Sequence, residues 1–187
     1  MIDEVILVDD QDRVTGSMEK LQAHRRGLLH RAFSIFVFND NFELLLQRRS
    51  PGKYHSADLW SNTCCSHPLI GESVLDAAHR RLQHEMGFDC PLREIFSFTY
   101  TAEVGSGLIE HEFDHVCAGI YNRQPDPNPA EARDWRWMDL SLLRQRIETQ
   151  PDEYTAWLKL ILSSHLDDLT KHQQALDPAA PLDPIDD

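Results

Sequence analysis

Residues 72–86 read "ESVLDAAHRRLQHEM". Leu75, Ala78, Leu82 and Met86 recur at spacings of three and four, which places them on one face of a helix with about 3.6 residues per turn. Gly87 follows, a residue suited to end a helix in the left-handed conformation. A helix with one apolar face needs a second layer to cover it, so its flanks decide the fold class.

Upstream, "EVILVD" (4–9) reads as a strand closed by the polar turn "DQDRVTG" (10–16). "MEKLQAHRR" (18–26) reads as a helix ended by Gly27. "AFSIFVFN" and "FELLLQRR" flank Asp40 and Asn41 as a hairpin of two buried strands. "SPGKYHSAD" (50–58) reads as loop, and "WSNTCCSH" (60–67) as short and extended. Downstream, "REIFSFTYTAE" (93–103) and "LIEHEFDHVCAGIY" (108–121) read as strands around the turn "VGSG". The Pro-rich loop "QPDPNPAEARD" leads to "WRWMDL" and then to helical patterns at 139–148 and 152–170. Strands and helices mixed in this order imply an α/β (α+β) sandwich, with a mixed sheet flanked by helices. One domain over residues 1–172 is expected, and the Pro- and Asp-rich tail at 173–187 is expected to be disordered.

Composition narrows the function classes. A net charge of −13 argues against nucleic acid or an anionic membrane as partner. No apolar run approaches the roughly 20 residues needed to span a bilayer, and "MIDEVILVDDQDR" lacks the basic start and apolar core of a signal peptide. A cytoplasmic location is the expectation, with the protein a monomer or weak homodimer. The four cysteines follow neither a disulfide framework nor zinc-finger spacing and are expected to be free thiols. Charge is unevenly spread: residues 20–53 carry seven basic side chains against Asp40 and Glu43. A basic zone inside an acidic protein is either a solvated face or a site for a small anion.

Alternation along a strand puts residues i and i+2 on one face. If "TCCSH" (63–67) is extended, Cys65 and His67 share a face and Cys64 turns to the other. Glu110 and Glu112 form a second such pair, flanked by Ile109 and Phe113. Adjacent carboxylates repel and are costly near a core, so the pair needs an exposed face or a cation between the two. His24 and His30 complete a possible set: three imidazoles and two carboxylates suit a transition metal better than Mg²⁺ alone.

The helical stretch also resembles the Nudix box, G-x5-E-x7-R-E-U-x-E-E-x-G-U, where U is a bulky aliphatic residue. Glu72, Arg80, Leu82, Glu85 and Gly87 agree with it, Ser66 stands at its first glycine, and Arg81 and His84 replace two of its glutamates. Those glutamates hold metal ions in the hydrolases, so the pattern implies the scaffold with its hydrolytic machinery disabled. More broadly, residues 4–160 resemble the type 1 isopentenyl-diphosphate Δ-isomerases, a Nudix-fold family. The resemblance rests on "EK..AH.....H.AFS" (19–34), "LLQRR" (45–49), "LWSNTCCSHP" (59–68), the altered box, "Y.........E.E" (100–112) and Trp157.

The resemblance implies interconversion of isopentenyl and dimethylallyl diphosphate by protonation at C4 and deprotonation at C2. It makes Cys65, Glu112, Tyr100 and Trp157 the catalytic set. Lys20, Arg49, Lys53 and Arg81 become contacts to the diphosphate, with Ser66 beside them at a substrate-facing position where relatives can carry glycine. His24, His30, His67, Glu110 and Glu112 become a site for Mn²⁺ or Zn²⁺, and Glu85 the ligand of a Mg²⁺ that accompanies the diphosphate. The competing reading is a Nudix hydrolase acting on a nucleoside diphosphate derivative.

Overall fold

The computed structural model describes residues 3–175. Its organising element is β3 (His30–Phe38). One edge of β3 pairs in parallel with β8 (Ile109–Ile120) along its whole length, from His30↔Glu112 to Phe38↔Ile120. The other edge is shared in succession. Leu7 of β1 (Glu4–Val8) pairs with His30, β6 (Cys64–Ser66) pairs antiparallel with residues 33–35, and Leu44 of β4 (Leu44–Arg49) pairs with Phe38. The expected hairpin of β3 and β4 is therefore joined only at its turn. Beyond Phe38↔Leu44, β6 takes β3, while β4 pairs with β9 (Ala132–Met138) and with β5 (Trp60–Ser61). β7 (Leu92–Glu103) closes one side as an antiparallel hairpin with β8, and β2 (Val14–Glu19) extends the other side through β1.

Alternation along β3 sorts the core into two layers. Phe33, Ile35 and Val37 pack with Leu45, Cys64 and the Ala77, Ala78, Leu82 and Met86 face of α2 (Val74–Met86). Phe36 and Phe38 pack on the opposite side with Leu44, Leu46, Leu143 of α3 (Leu140–Thr149) and Leu158 and Ile161 of α4 (Ala156–Ser164). The mixed sheet is thus covered by a helix layer on each face, as the sequence pattern implies.

Local boundaries differ in places. Val14–Gly16 belong to β2 rather than to the preceding turn, because Asp9 closes that turn early by accepting from Gln11 N and Arg13 N. Met18 and Glu19 end β2, and α1 spans Lys20–Arg26 with the Glu19 carboxylate capping the amides of Leu21 and Gln22. The helical pattern at 152–170 divides into a 3₁₀ turn at Pro151–Glu153, α4, and α5 (Leu166–Ala175). α5 runs past the expected start of the tail at Gln173, and residues 176–187 lie outside the described part of the chain.

Candidate active site

On β8, the even-numbered residues face the α3–α4 layer, and β6 turns Cys65 to the same side. Cys65 pairs with Ser34 and Glu112 with His30, so the thiol and the carboxylate flank β3 on its two edges. Cys64, one residue away, pairs with Ile35 and lies fully buried in the α2 layer. All four cysteines are free thiols, as expected.

A cavity of about 60 Å³ opens on this face. Its chemical wall is Cys65, Tyr100, Glu110, Glu112 and Trp157, with Ser66 and His67 beside them. Lys20, Arg49, Lys53 and Arg81 line its mouth, together with Tyr54 and His55. Eleven residues selected from the sequence therefore meet in one cavity. His24 and His30 lie against its Glu110 wall, fully buried.

The acidic pair is not on an exposed strand face: Glu110 and Glu112 are 4% and 8% exposed. Imidazoles surround them. His24 Nε2 is 3.0 Å from Glu110 Oε2, His30 Nε2 is 3.9 Å from the same oxygen, and His67 Nε2 is 3.1 Å from Glu112 Oε1. One donor atom from each of His24, His30, His67 and Glu110 lies within 4.8 Å of the others. Their neighbours set the ring orientations. His24 Nδ1 is 2.6 Å from Lys20 O and His30 Nδ1 is 2.8 Å from Leu28 O. A carbonyl only accepts, so each Nδ1 carries the hydrogen and each Nε2 turns a lone pair toward the carboxylates in the neutral ring. His30 Nε2 and Glu110 Oε2 have no hydrogen-bond partner despite burial. Lone pairs gathered without donors are what a cation would satisfy, and this N₃O donor set with Glu112 alongside fits a divalent metal.

Charge states follow the same geometry. Burial would raise Glu110, but the imidazoles of His24 and His55 beside it hold it well below the carboxylate range. Burial and the Glu110 charge push Glu112 up, and His30 and His67 outweigh them, leaving it lowered. Burial pushes His67 down to about 4. Burial lifts the Cys65 thiol to about 12, and Arg49 does not offset it, so the sulfur keeps its proton at neutral pH. Tyr100 donates to Glu112 Oε2 at 2.6 Å. The Trp157 indole N–H donates to Ser61 Oγ at 2.9 Å and Asn62 Oδ1 at 3.1 Å, and Ser61 Oγ is 3.9 Å from Cys65 Sγ. The guanidinium of Arg49 sits 5.2 Å from the Trp157 ring centroid.

Three of the four basic residues at the mouth are already ion-paired. Lys53 bonds to Glu131, Arg81 reaches Glu131 at 3.2 Å and Glu85 at 2.6 Å, and Lys20 lies 3.4 Å from Asp3. Glu85 is not brought to the imidazoles: it is 2% exposed, with one oxygen held by Arg81 and the other by Gln47. Two other residues that agree with the box pattern pair with each other, Arg80 donating to Glu72 through two bonds of 2.6 and 2.7 Å. Two participants escaped the sequence reading. His55, within a loop that shows no periodicity, places Nε2 3.0 Å from Glu110 Oε1. Glu131, in the Pro-rich loop, joins Lys53 to Arg81 across the mouth.

The NUDIX domain family matches residues 28–158. The "Isopentenyl-diphosphate Delta-isomerase 2" of Aromatoleum aromaticum is 55% identical over 162 residues, covering 87% of this chain and 86% of that protein. The namesake from Photorhabdus laumondii is 50% identical over 163 residues, covering 87% and 92%. The chain belongs to the isopentenyl-diphosphate Delta-isomerase family. As a member of that family it keeps the Nudix architecture: a Deinococcus radiodurans crystal structure superimposes with a TM-score of 0.73 at 20% identity, covering 86% of this chain and 97% of that one. A MutT protein from Methanosarcina mazei superimposes with a TM-score of 0.61 at 14% identity, covering 77% and 95%. At these identities the likeness concerns the fold alone. The box helix of this isomerase-family chain carries a guanidinium against Glu85 where the box pattern has a glutamate.

Proposed function

We infer that the protein interconverts isopentenyl and dimethylallyl diphosphate, and we propose that Cys65 and Glu112 move the two protons. The observation that carries this reading is the pair itself: a thiol and a carboxyl on opposite edges of β3, both lining one cavity whose mouth is basic. Shifting the double bond from the 3,4 to the 2,3 position adds a proton at C4 and removes one at C2. In our assignment Glu112, with the Tyr100 hydroxyl on its Oε2, serves C4, and Cys65 serves C2.

Proton inventory gives the two directions different starting points. With sulfur protonated and Glu112 ionised, the site is set for the dimethylallyl direction: Cys65 donates to C2 and Glu112 accepts from the methyl carbon C4. The isopentenyl direction begins from the complementary state, with the proton on Glu112 and the sulfur as thiolate, and ends in the resting one. Between them lies a tertiary carbocation, which a desolvated indole face stabilises by about 2 kcal/mol. Trp157, fixed through its N–H, is the candidate for that role. The guanidinium of Arg49 already shares the ring, so substrate must approach the part of the face left open.

We assign His24, His30, His67, Glu110 and Glu112 to a divalent ion, Mn²⁺ or Zn²⁺, whose charge would hold the two carboxylates together and tune their acidity. Lys20, Arg49, Lys53 and Arg81, with Ser66, would receive the diphosphate, and Glu85 would meet a Mg²⁺ bound to it once Arg81 transfers to phosphate. The hydrolase reading is disfavoured by that same arginine, which neutralises the box carboxylate Glu85.

The decisive experiment is proton NMR of isopentenyl diphosphate in D₂O with the protein and divalent metal. Deuterium entering the methyl group of dimethylallyl diphosphate is the expected result. Phosphate release with the double bond unmoved would overturn the assignment in favour of hydrolysis.

A further inference from the structure

Four imidazoles lie around Glu110, and they do not behave alike. His24, His30 and His67 turn nitrogens toward a shared centre with Glu110. His55 does not join them: its Nε2 lies 3.0 Å from Oε1, while Oε2 faces His24 and His30. His55 Nδ1 lies 3.3 Å from the Ser56 hydroxyl, which can donate to it. That leaves the ring hydrogen on Nε2, the nitrogen 3.0 Å from the carboxylate oxygen. His55 is thus in place to donate to one oxygen of Glu110 while the other oxygen stays free for the cation.

The ring is tightly held. His55 is 8% exposed, its ring centroid 4.4 Å from Tyr54 and 6.0 Å from Trp157, both edge-on. Arg49 donates to the backbone oxygens of His55 and Ser56 at 3.2 and 3.1 Å. The loop adopts left-handed backbone at Ser56 (φ 47°) and Asp58 (φ 67°), a conformation that costs a non-glycine residue about 1 kcal/mol or more. A loop bent at that cost to bury an imidazole against a carboxylate has a use for the contact.

We propose that His55 is a positioning residue for the metal centre: by donating from Nε2 to Glu110 Oε1 it fixes the carboxylate rotamer that presents Oε2 to the cation, and it ties the loop bearing Lys53 to that centre. Hydrogen bonds from outside a metal site typically contribute about 10- to 100-fold in metal affinity. The inference rests on the assignment of His24, His30, His67 and Glu110 as ligands.

The test is Zn²⁺ affinity of metal-free full-length protein, measured in competition with a chromophoric chelator. His55→Ala and His55→Asn, neither of which carries a donor to the Nε2 position, are expected to bind about 10- to 100-fold more weakly. His55→Gln, whose amide nitrogen reaches that position, is expected to stay within about threefold of the parent, which marks donation rather than ring packing as the cause. Wild-type affinity in His55→Ala, or a Gln variant as weak as the Ala variant, would overturn the proposal. His24→Ala separates the two levels: it should abolish tight Zn²⁺ binding, and if it does not, the ligand assignment fails and the proposal with it.

Discussion

The two ends of the cavity use charged groups in opposite ways. At the imidazole end, buried lone pairs on His30 and Glu110 converge without donors. At the mouth, Lys53, Arg81, Glu85 and Glu131 satisfy one another in a closed network. The first arrangement is costly until a cation arrives, because unpaired buried polar atoms forfeit hydration. Within the second network the charges already balance, so a diphosphate reaching Lys53 or Arg81 must exchange ion pairs rather than create them. One end is thus built to hold a resident ion and the other to trade partners with a transient anion.

The strongest test of this contrast is at the imidazole end. Glu110→Gln removes the charge that faces His24 and His30, and it should strip metal and lower turnover by more than about 10²-fold; metal content by elemental analysis checks it, and a fully metallated variant would break the comparison. Cys65→Ala should lower kcat by about 10²- to 10⁴-fold with metal content unchanged, since it removes an acid–base group and no ligand.

Gly87→Ala tests how the mouth is supported. Gly87 has φ of +75°, and a Cβ there would lie 2.1 Å from Asp126 O. The loop so displaced is docked by Asp126 N to Met86 O and Asn128 N to Glu85 O, and it carries Glu131. We expect a loss of about 2–3 kcal/mol, read as a fall in melting temperature of roughly 5–10 °C. Glu131→Gln should act more gently. Arg81 and Lys53 hold its carboxyl down at about 2 against the effect of burial. Removing that charge takes away the diphosphate's competitor, so KM for isopentenyl diphosphate should fall severalfold; a rise would mean that Glu131 positions the cations rather than competing for them. The smallest effect belongs to Cys64→Ala, expected to cost about 1 kcal/mol of stability as a buried truncation while leaving turnover intact.

Periodicity settled what lies on one face of one element. The two-residue repeat paired Cys65 with His67 and Glu110 with Glu112, and turned Cys64 into the core; the apolar spacing of α2 identified Ala78, Leu82 and Met86 on its buried side and Gly87 its end, whereas Leu75, in the first turn, is exposed. Motif order along the chain named the family. These features depend on neighbours in the chain, which is why they could be read without a fold. Folding alone decided what the loops do. His55 meets Glu110 across 55 positions and Glu131 meets Lys53 across 78, contacts with no local pattern to announce them. The protonation of Cys65 belongs to the same class: burial in the folded chain raises its thiol, and desolvation is a property of the three-dimensional surroundings rather than of any stretch of chain.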